Sequence, residues 1–351
     1  MIKDVLRRLL KRVSRANVAA DLAPQGMFLS SASASKERAG AVLSLQPSED
    51  KSGLLGEILV QEHRDPGYVP DEHNTMCVTV SPVSGTPFNR SAVLDILGAG
   101  WLKSSGGPEI FGRPSGETAW TYLRAGGVPE EYAQIKVAWP LSATYRPDWA
   151  TPNIETLQGY RNDLLRELPR LRAVEVSASM TVERAAYRAR ELASLKETCD
   201  RTATIVLAAD DGRPFSGRTL WDTMLCLGLS WGDMDLFHWE NHASVGDDQH
   251  FSVWTTTPPG YFFPDEIAAD RVLVHDLVFG YRIPRCAAPL EVFNAMVAAA
   301  EYAKQRLGGQ LLTADNRPFG RDAALEEISS VIGELRAKGF VPGESRTLRI
   351  F

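Results

Sequence analysis

The 351 residues are 44% hydrophobic and 23% charged, with a formal net charge of −6. That is the make-up of a soluble globular chain long enough for two domains, and its acidic balance argues against a general nucleic-acid binder. Cys77, Cys199, Cys226 and Cys286 form no C-x-x-C pair, so reduced, buried thiols in a cytoplasmic protein are expected rather than a zinc or redox site.

In chain order, residues 1–15, "MIKDVLRRLLKRVSR", place Ile2, Val5, Leu6, Leu9, Leu10 and Val13 at helical spacing. Lys3, Arg7, Arg8, Lys11, Arg12 and Arg15 occupy most of the remainder. This is a basic amphipathic helix, suited to an anionic membrane interface or to packing on protein. The chain has no apolar run of membrane-spanning length and no signal-peptide h-region. Residues 16–72 read as a weakly structured tether, with "SSASASKERAG", "LQPSEDKSG" and the turn-rich "HRDPGYVPDEHN".

The chain then repeats itself. "CVTVSPVSGTPFNRSAVLDILGAGWLK" from Cys77 and "ATIVLAADDGRPFSGRTLWDTMLCLGLSW" from Ala203 both read strand, Gly-x-Pro-Phe turn, helix. Later elements follow in the same order. In the first copy come the strand "IKVAWPL", the helix "TPNIETLQGYRNDLLRELPRL", the strand "RAVEVSAS" and the closing helix "TVERAAYRARELASLKE". In the second come "LVHDLVFGYRIP", "PLEVFNAMVAAAEYAKQRLGG", "QLLTAD" and "DAALEEISSVIGELRAKG". Gly308–Gly309 closes the helix "PLEVFNAMVAAAEYAKQRLGG" after Lys304 and Arg306. The pattern predicts an α+β protein of two tandem domains, 73–200 and 201–351, each a mostly antiparallel sheet with helices on one face.

Strand alternation sorts the second domain into faces. Ala203, Ile205 and Leu207 face the helices, so Thr202, Thr204 and Val206 face away. Phe251 and Val253 face in, leaving Ser252, Trp254 and Thr256 out. Phe279, Tyr281 and Ile283 face in, leaving Gly280 and Arg282 out. Either parity of 234–239 is apolar. With Met234 and Leu236 outward, an exposed floor of Met234, Leu236 and Trp254 results, bordered by the threonines and Arg282, with space beside Gly280. Such a floor suits an amphipathic peptide, or cover by the first domain or the tether.

"LSWGDMDLFHWENH" (229–242) also admits a metal or acid–base reading through His238, Glu240 and His242, the core of a metal-dependent hydrolase. The spacing is not H-E-x-x-H, the segment reads as strand and loop, and no third ligand is evident. Asp233 and Asp235 read as turn residues. There is no G-x-S-x-G, Walker A or G-x-G-x-x-G motif. No catalytic residue, metal or cofactor is therefore expected.

"WGDMDLFH" (231–238), "FSVW" with "PPGYFFPDE" (258–266), and "AEYAKQRLGGQLLTADNRPF" (300–319) occur in the order found in one family. Residues 201–340 resemble the C-terminal FtsZ-binding domain of the bacterial cell-division protein ZipA. Residues 73–200 resemble it more weakly. "YRARELASLKETCDRT" and "GELRAKGFVPGESRTLRIF" are similar to a tandem, beta-proteobacterial branch. The resemblance implies a split β-α-β fold in each domain and a non-enzymatic role in cell division. Its open sheet face would bind the C-terminal peptide of FtsZ, or the peptide of another partner on the same scaffold. It places Thr202, Thr204, Met234, Trp254, Thr256 and Gly280 along the groove. Here threonines replace aliphatic residues of the first strand, Gly280 a large aromatic, and Pro258 a rim lysine. A typical ZipA has an N-terminal transmembrane helix, which this chain lacks. The expected location is cytoplasmic, peripheral at the inner face of the inner membrane if the basic helix attaches there.

Overall fold

A computed structural model describes residues 29–60, 68–142, 150–210, 213–269 and 273–351. The basic helix expected at 1–15 lies outside the described residues. The fold is α+β, its strand pairs antiparallel, as the alternating patterns predict. It divides into two compact units: Gln61–Arg201 with Val331–Phe351, and Thr202–Ser330 with the chain up to Val60.

The first unit contains β1 (Thr75–Pro82), β2 (Phe88–Asn89), β3 (Glu109–Arg113), β4 (Thr121–Tyr122), β5 (Glu131–Tyr132), β6 (Gln134–Pro140) and β7 (Val174–Ala178). Its main sheet runs β4-β3-β6-β1-β7, with β2 and β5 as a separate ladder. Val78, Val137 and Ile110 share one register row, and Val80 and Ile135 the next. All five are buried. The helix Val182–Cys199 buries Val182, Ala185, Ala186, Ala189, Leu192, Leu195 and Cys199, an apolar stripe at the three-to-four-residue spacing of one helix face. The Thr181 side chain caps it by accepting the Arg184 amide, and Asn153 caps the helix Ile154–Glu167 at Thr156.

The second unit contains β8 (Thr202–Ala208), β9 (Phe215–Ser216), β10 (Ser230–Gly232), β11 (Leu236–Glu240), β12 (Gln249–Trp254), β13 (Leu273–Val274), β14 (Asp276–Arg282) and β15 (Gln310–Leu312). Its sheet runs β10-β11-β12-β14-β8-β15. The long helix Pro289–Leu307 packs on β8, β12 and β14 and buries Val292, Phe293, Ala295, Met296, Ala299 and Ala300.

The repeat read from the sequence has a structural counterpart. In each unit the first strand lies between a returning strand and the last strand, β6-β1-β7 and β14-β8-β15. The phenylalanine of each Gly-x-Pro-Phe turn starts a two-residue ladder just before the returning strand. Phe88 pairs with Tyr132, and Phe215 with Val274. Gly85 takes a φ of 72°, open to glycine at little cost.

Two stretches behave differently from the sequence expectation. Part of the tether is ordered. Leu29–Leu43 is helical, and Arg38 meets Asp265 at 2.7 Å. Further on, the Ser48 amide donates to Asp222 at 2.8 Å, the Lys51 amide to the Cys226 carbonyl at 2.7 Å, and the Tyr302 hydroxyl to Glu49 at 2.8 Å. Arg306 reaches the same Asp222 carboxylate at 2.6 Å. Polar bonds of this kind leave no hydrophobic periodicity to read. The second stretch is residues 331–351, expected with the second domain, which group with Gln61–Arg201. Leu335, Phe340, Ile350 and Phe351 are buried, Arg349 donates to the Val69 carbonyl at 2.6 Å, and Arg188 stacks over Phe340.

Candidate functional site: the open sheet face

Two register rows define the second sheet. Phe237, Val253, Phe279 and Ile205 align across β11, β12, β14 and β8, and all are fully buried. The neighbouring row is His238, Ser252, Gly280 and Thr204. Alternation sends this second row to the face away from the helix Pro289–Leu307. The same face carries Trp254, Val278, Val206 and Leu312, paired in that order across β12, β14, β8 and β15. Leu236, opposite Gly232, has the same parity one strand further on. Together they make an apolar strip across five strands. Trp254, Val206, Leu312 and Leu236 are half-buried and Val278 is buried.

The sequence-predicted residues fall into three groups. Leu236, Trp254, Thr204, Gly280 and Arg282 stand on this face, Arg282 opposite Thr202 at one end. Thr202 is exposed there. Thr256 lies just beyond β12, its amide donating to Asp276 at 2.6 Å and its hydroxyl donating to the same carboxylate. Met234 does not lie in a strand. It sits in the turn Asp233–Asp235 with φ 58°, ψ 20°, and is 60% exposed. Asp235 also has φ 58°. Each such left-handed non-glycine residue costs roughly 1–2 kcal/mol.

Two hydrogen bonds hold this turn. The Asp235 carbonyl accepts the Phe262 amide at 2.9 Å, and the Asp233 carbonyl lies 2.8 Å from His238 Nε2. A carbonyl only accepts, so Nε2 carries a proton, and Nδ1 pairs with the Ser252 hydroxyl at 2.8 Å. His238 thus braces the turn that presents Met234. Glu240 accepts from the Ser230 hydroxyl at 2.7 Å, and His242 is exposed. Among the described residues no group of three or more His, Cys, Asp or Glu is placed to hold a metal.

Gly280 corrects one expectation. The sequence pattern predicts space beside it for a peptide side chain. The Trp254 ring occupies that space: a Cβ on Gly280 would meet Trp254 Cη2 at 2.7 Å and the Ala203 carbonyl oxygen at 3.1 Å. Glycine is what lets the indole lie across β14. The bulk and the gap belong to one feature, not to a ridge beside a pocket. Val206, Val278 and Leu312 were not among the expected site residues. The parity set by Phe279 and Leu207 carries the signal for the two valines. Leu312 needs the β15–β8 register, which sequence alone does not supply.

The equivalent face of the first unit is covered. Cys77, Phe111 and Ala138 form a buried cluster with Trp120 and Tyr122 packed on it. The Tyr68 ring lies 5.6 Å from Phe111 and 5.0 Å from Tyr122. Lys136 sits 4.4 Å over the Trp120 ring and pairs with Glu72. Burial pushes the Cys77 thiol up to about 11.

Residues 201–330 match the family model described as "ZipA, C-terminal FtsZ-binding domain". This stretch is similar to the ZipA C-terminal domain. The chain is 31% identical over 144 residues to the cell division protein ZipA of Azotobacter vinelandii, covering 40% of this chain and 48% of that one. It is 31% identical over 134 residues to ZipA of Shewanella loihica, 38% of either chain. With ZipA of Pseudomonas aeruginosa it shares 32% over 112 residues, 32% of this chain and 38% of the relative. The chain therefore spans less than half the length of these relatives. The apolar strip lies inside the matched residues 201–330. No helix among the described residues is long and apolar enough to cross a membrane.

Proposed function

We propose that the ZipA-type domain is a non-enzymatic adhesion module of cell division that binds the C-terminal peptide of FtsZ along the strip Leu236–Trp254–Val278–Val206–Leu312. One observation carries this reading: a partly exposed apolar strip crosses the sheet within residues 201–330, the stretch that matches an FtsZ-binding family. An amphipathic segment laid there gains about 25 cal/mol for each Å² of apolar surface removed from water, before ordering costs. Thr202, Thr204, Thr256 and Arg282 frame the strip with polar groups, and the Met234 side chain, 60% exposed, adds an adaptable contact at the β10–β11 turn.

The test is co-sedimentation of the full chain with polymerised FtsZ. Binding is expected with intact FtsZ and absent with FtsZ lacking its C-terminal peptide. Equal binding to both would place the contact elsewhere. No binding to either would leave the scaffold to another peptide.

The basic segment 1–15 supplies a separate attachment to anionic membrane in this reading, worth about 1 kcal/mol per Lys or Arg near the surface. Binding to anionic vesicles should weaken with salt and fall when residues 1–15 are removed. Unchanged vesicle binding after the deletion contradicts it.

A further inference from the structure

The edges of the two sheets are managed differently. An unprotected edge presents unpaired backbone groups to any strand that approaches, and proteins blunt such edges with proline, short strands or covering loops. In the second unit the β15 edge is covered by its own chain. Leu312 bridges to Pro318, the Leu311 carbonyl accepts the Phe319 amide at 3.0 Å, and the Thr313 amide donates to the Arg317 carbonyl at 2.8 Å. The other edges, β4 and β10, are two and three residues long.

The corresponding edge of the first unit, β7, is five residues long, and no described residue pairs with its outer side. It carries no proline, and Glu175, Val176, Ser177 and Ala178 are exposed. After β7 the chain turns straight into the helix Val182–Cys199, without the returning hairpin found after β15.

The β7 register shows which backbone groups are offered. The Ser179 amide donates to the Cys77 carbonyl at 2.9 Å and the Val83 amide to the Ala173 carbonyl at 3.1 Å. Hydrogen-bonded pairs alternate along an antiparallel ladder, so residues 173, 175, 177 and 179 bond inward to β1. Val174, Val176 and Ala178 point their N–H and C=O groups off the sheet. Val176 shares a row with the buried Val80 and Ile135, yet is itself 38% exposed.

We propose that β7 pairs antiparallel with β7 of a second copy of this chain, with Val176 on the twofold axis. The outward-bonding set Val174, Val176 and Ala178 is symmetric about Val176. Self-pairing therefore sets Val174 against the other copy's Ala178 and satisfies all three residues in each chain. In this register Glu175 faces the other copy's Ser177, so the two glutamates are not directly opposed. Val176 from each copy meets at the axis on the helix-facing side, where its exposed surface is removed from water. The contact joins two five-stranded sheets into one. A ladder of this length sits at the small end of specific interfaces, so the dimer forms reversibly with rising concentration.

Sedimentation velocity of the full chain across a concentration series tests this. The wild type should shift from monomer toward dimer as concentration rises. Val176→Pro removes an amide that points outward and leaves the β1–β7 bonds in place, and Val176→Lys puts like charges on the axis. Both variants should stay monomeric at every concentration, with thermal unfolding close to wild type and FtsZ-peptide binding unchanged. A wild type that remains monomeric throughout, or a dimer that persists in both folded variants, overturns the proposal.

Discussion

The two sheets share a strand order around their first strand but differ in what lies on the face away from their long helices. In the first unit Phe111 is fully buried beneath Tyr68, Trp120 and Tyr122, and Lys136 is held between Trp120 and Glu72. In the second unit the Trp254 ring lies across Gly280 and is half-buried, and Val206, Leu236 and Leu312 remain partly exposed. One duplicated framework thus has one face closed by its own aromatic residues and one left open. Under the proposed function, the first face serves stability and the second recognition.

Substitutions should separate the two roles, and the largest effect is expected in the closed face. Phe111→Ala removes a fully buried ring and should cost about 3–5 kcal/mol of stability, read from denaturant unfolding. Leu236→Ala, at a half-buried position on the open face, should cost far less stability while weakening peptide binding. Equal losses of stability at both positions would erase the contrast.

Next in size is the Trp254–Gly280 contact. Gly280→Val places a side chain where the indole now lies and close to the Ala203 carbonyl. The ring must swing away, and affinity for the FtsZ peptide should fall by about tenfold, ~1.4 kcal/mol. Full affinity in this variant would show that the ring position is irrelevant to binding.

The smallest effect concerns the segment that docks around Asp222. Burial pushes the Asp222 carboxyl up, but the Ser48 hydrogen bonds and the Arg306 ion pair outweigh it and hold the carboxyl below its usual range. A lowered folded-state value means the contact contributes fully above the ordinary carboxylate range, near pH 4, and is lost as pH falls through the lowered value. Hydrogen exchange at the Ser48 amide should accelerate on acidification below about pH 4. Asp222→Asn should give faster exchange already at neutral pH. A Ser48 amide indifferent to both would break this assignment.

Much of the architecture was legible because it rests on periodicity. The Gly-x-Pro-Phe turns, the Val78/Val80 and Ile205/Leu207 alternation, and the apolar stripe of Pro289–Leu307 each follow from burying one face of a strand or helix. What was not legible depends on contacts distant in sequence. Ser48, Glu49 and Lys51 dock through a few hydrogen bonds, and Phe340 to Phe351 fold back to the unit that begins at Gln61. The candidate site was half legible. Parity alone placed Trp254, Leu236, Thr204 and Gly280 on one face. It could not foresee that Met234 leaves the strand for a left-handed turn, nor that Trp254 fills the space over Gly280. Rotamer and turn choices of this kind are decided by neighbours, not by period.

In the proposed function, the partly exposed sheet face within residues 201–330 is a binding surface centred on Trp254. Calorimetric titration of the full chain with the FtsZ C-terminal peptide, wild type against Trp254→Ala, tests it most directly. The indole is half-buried on the face away from the helix Pro289–Leu307, so its removal should leave the unfolding transition nearly unchanged. As a central aromatic anchor it should cost about 2 kcal/mol of binding, roughly thirtyfold in Kd. A wild type that binds the peptide and a folded Trp254→Ala variant that binds it equally well would contradict the claim.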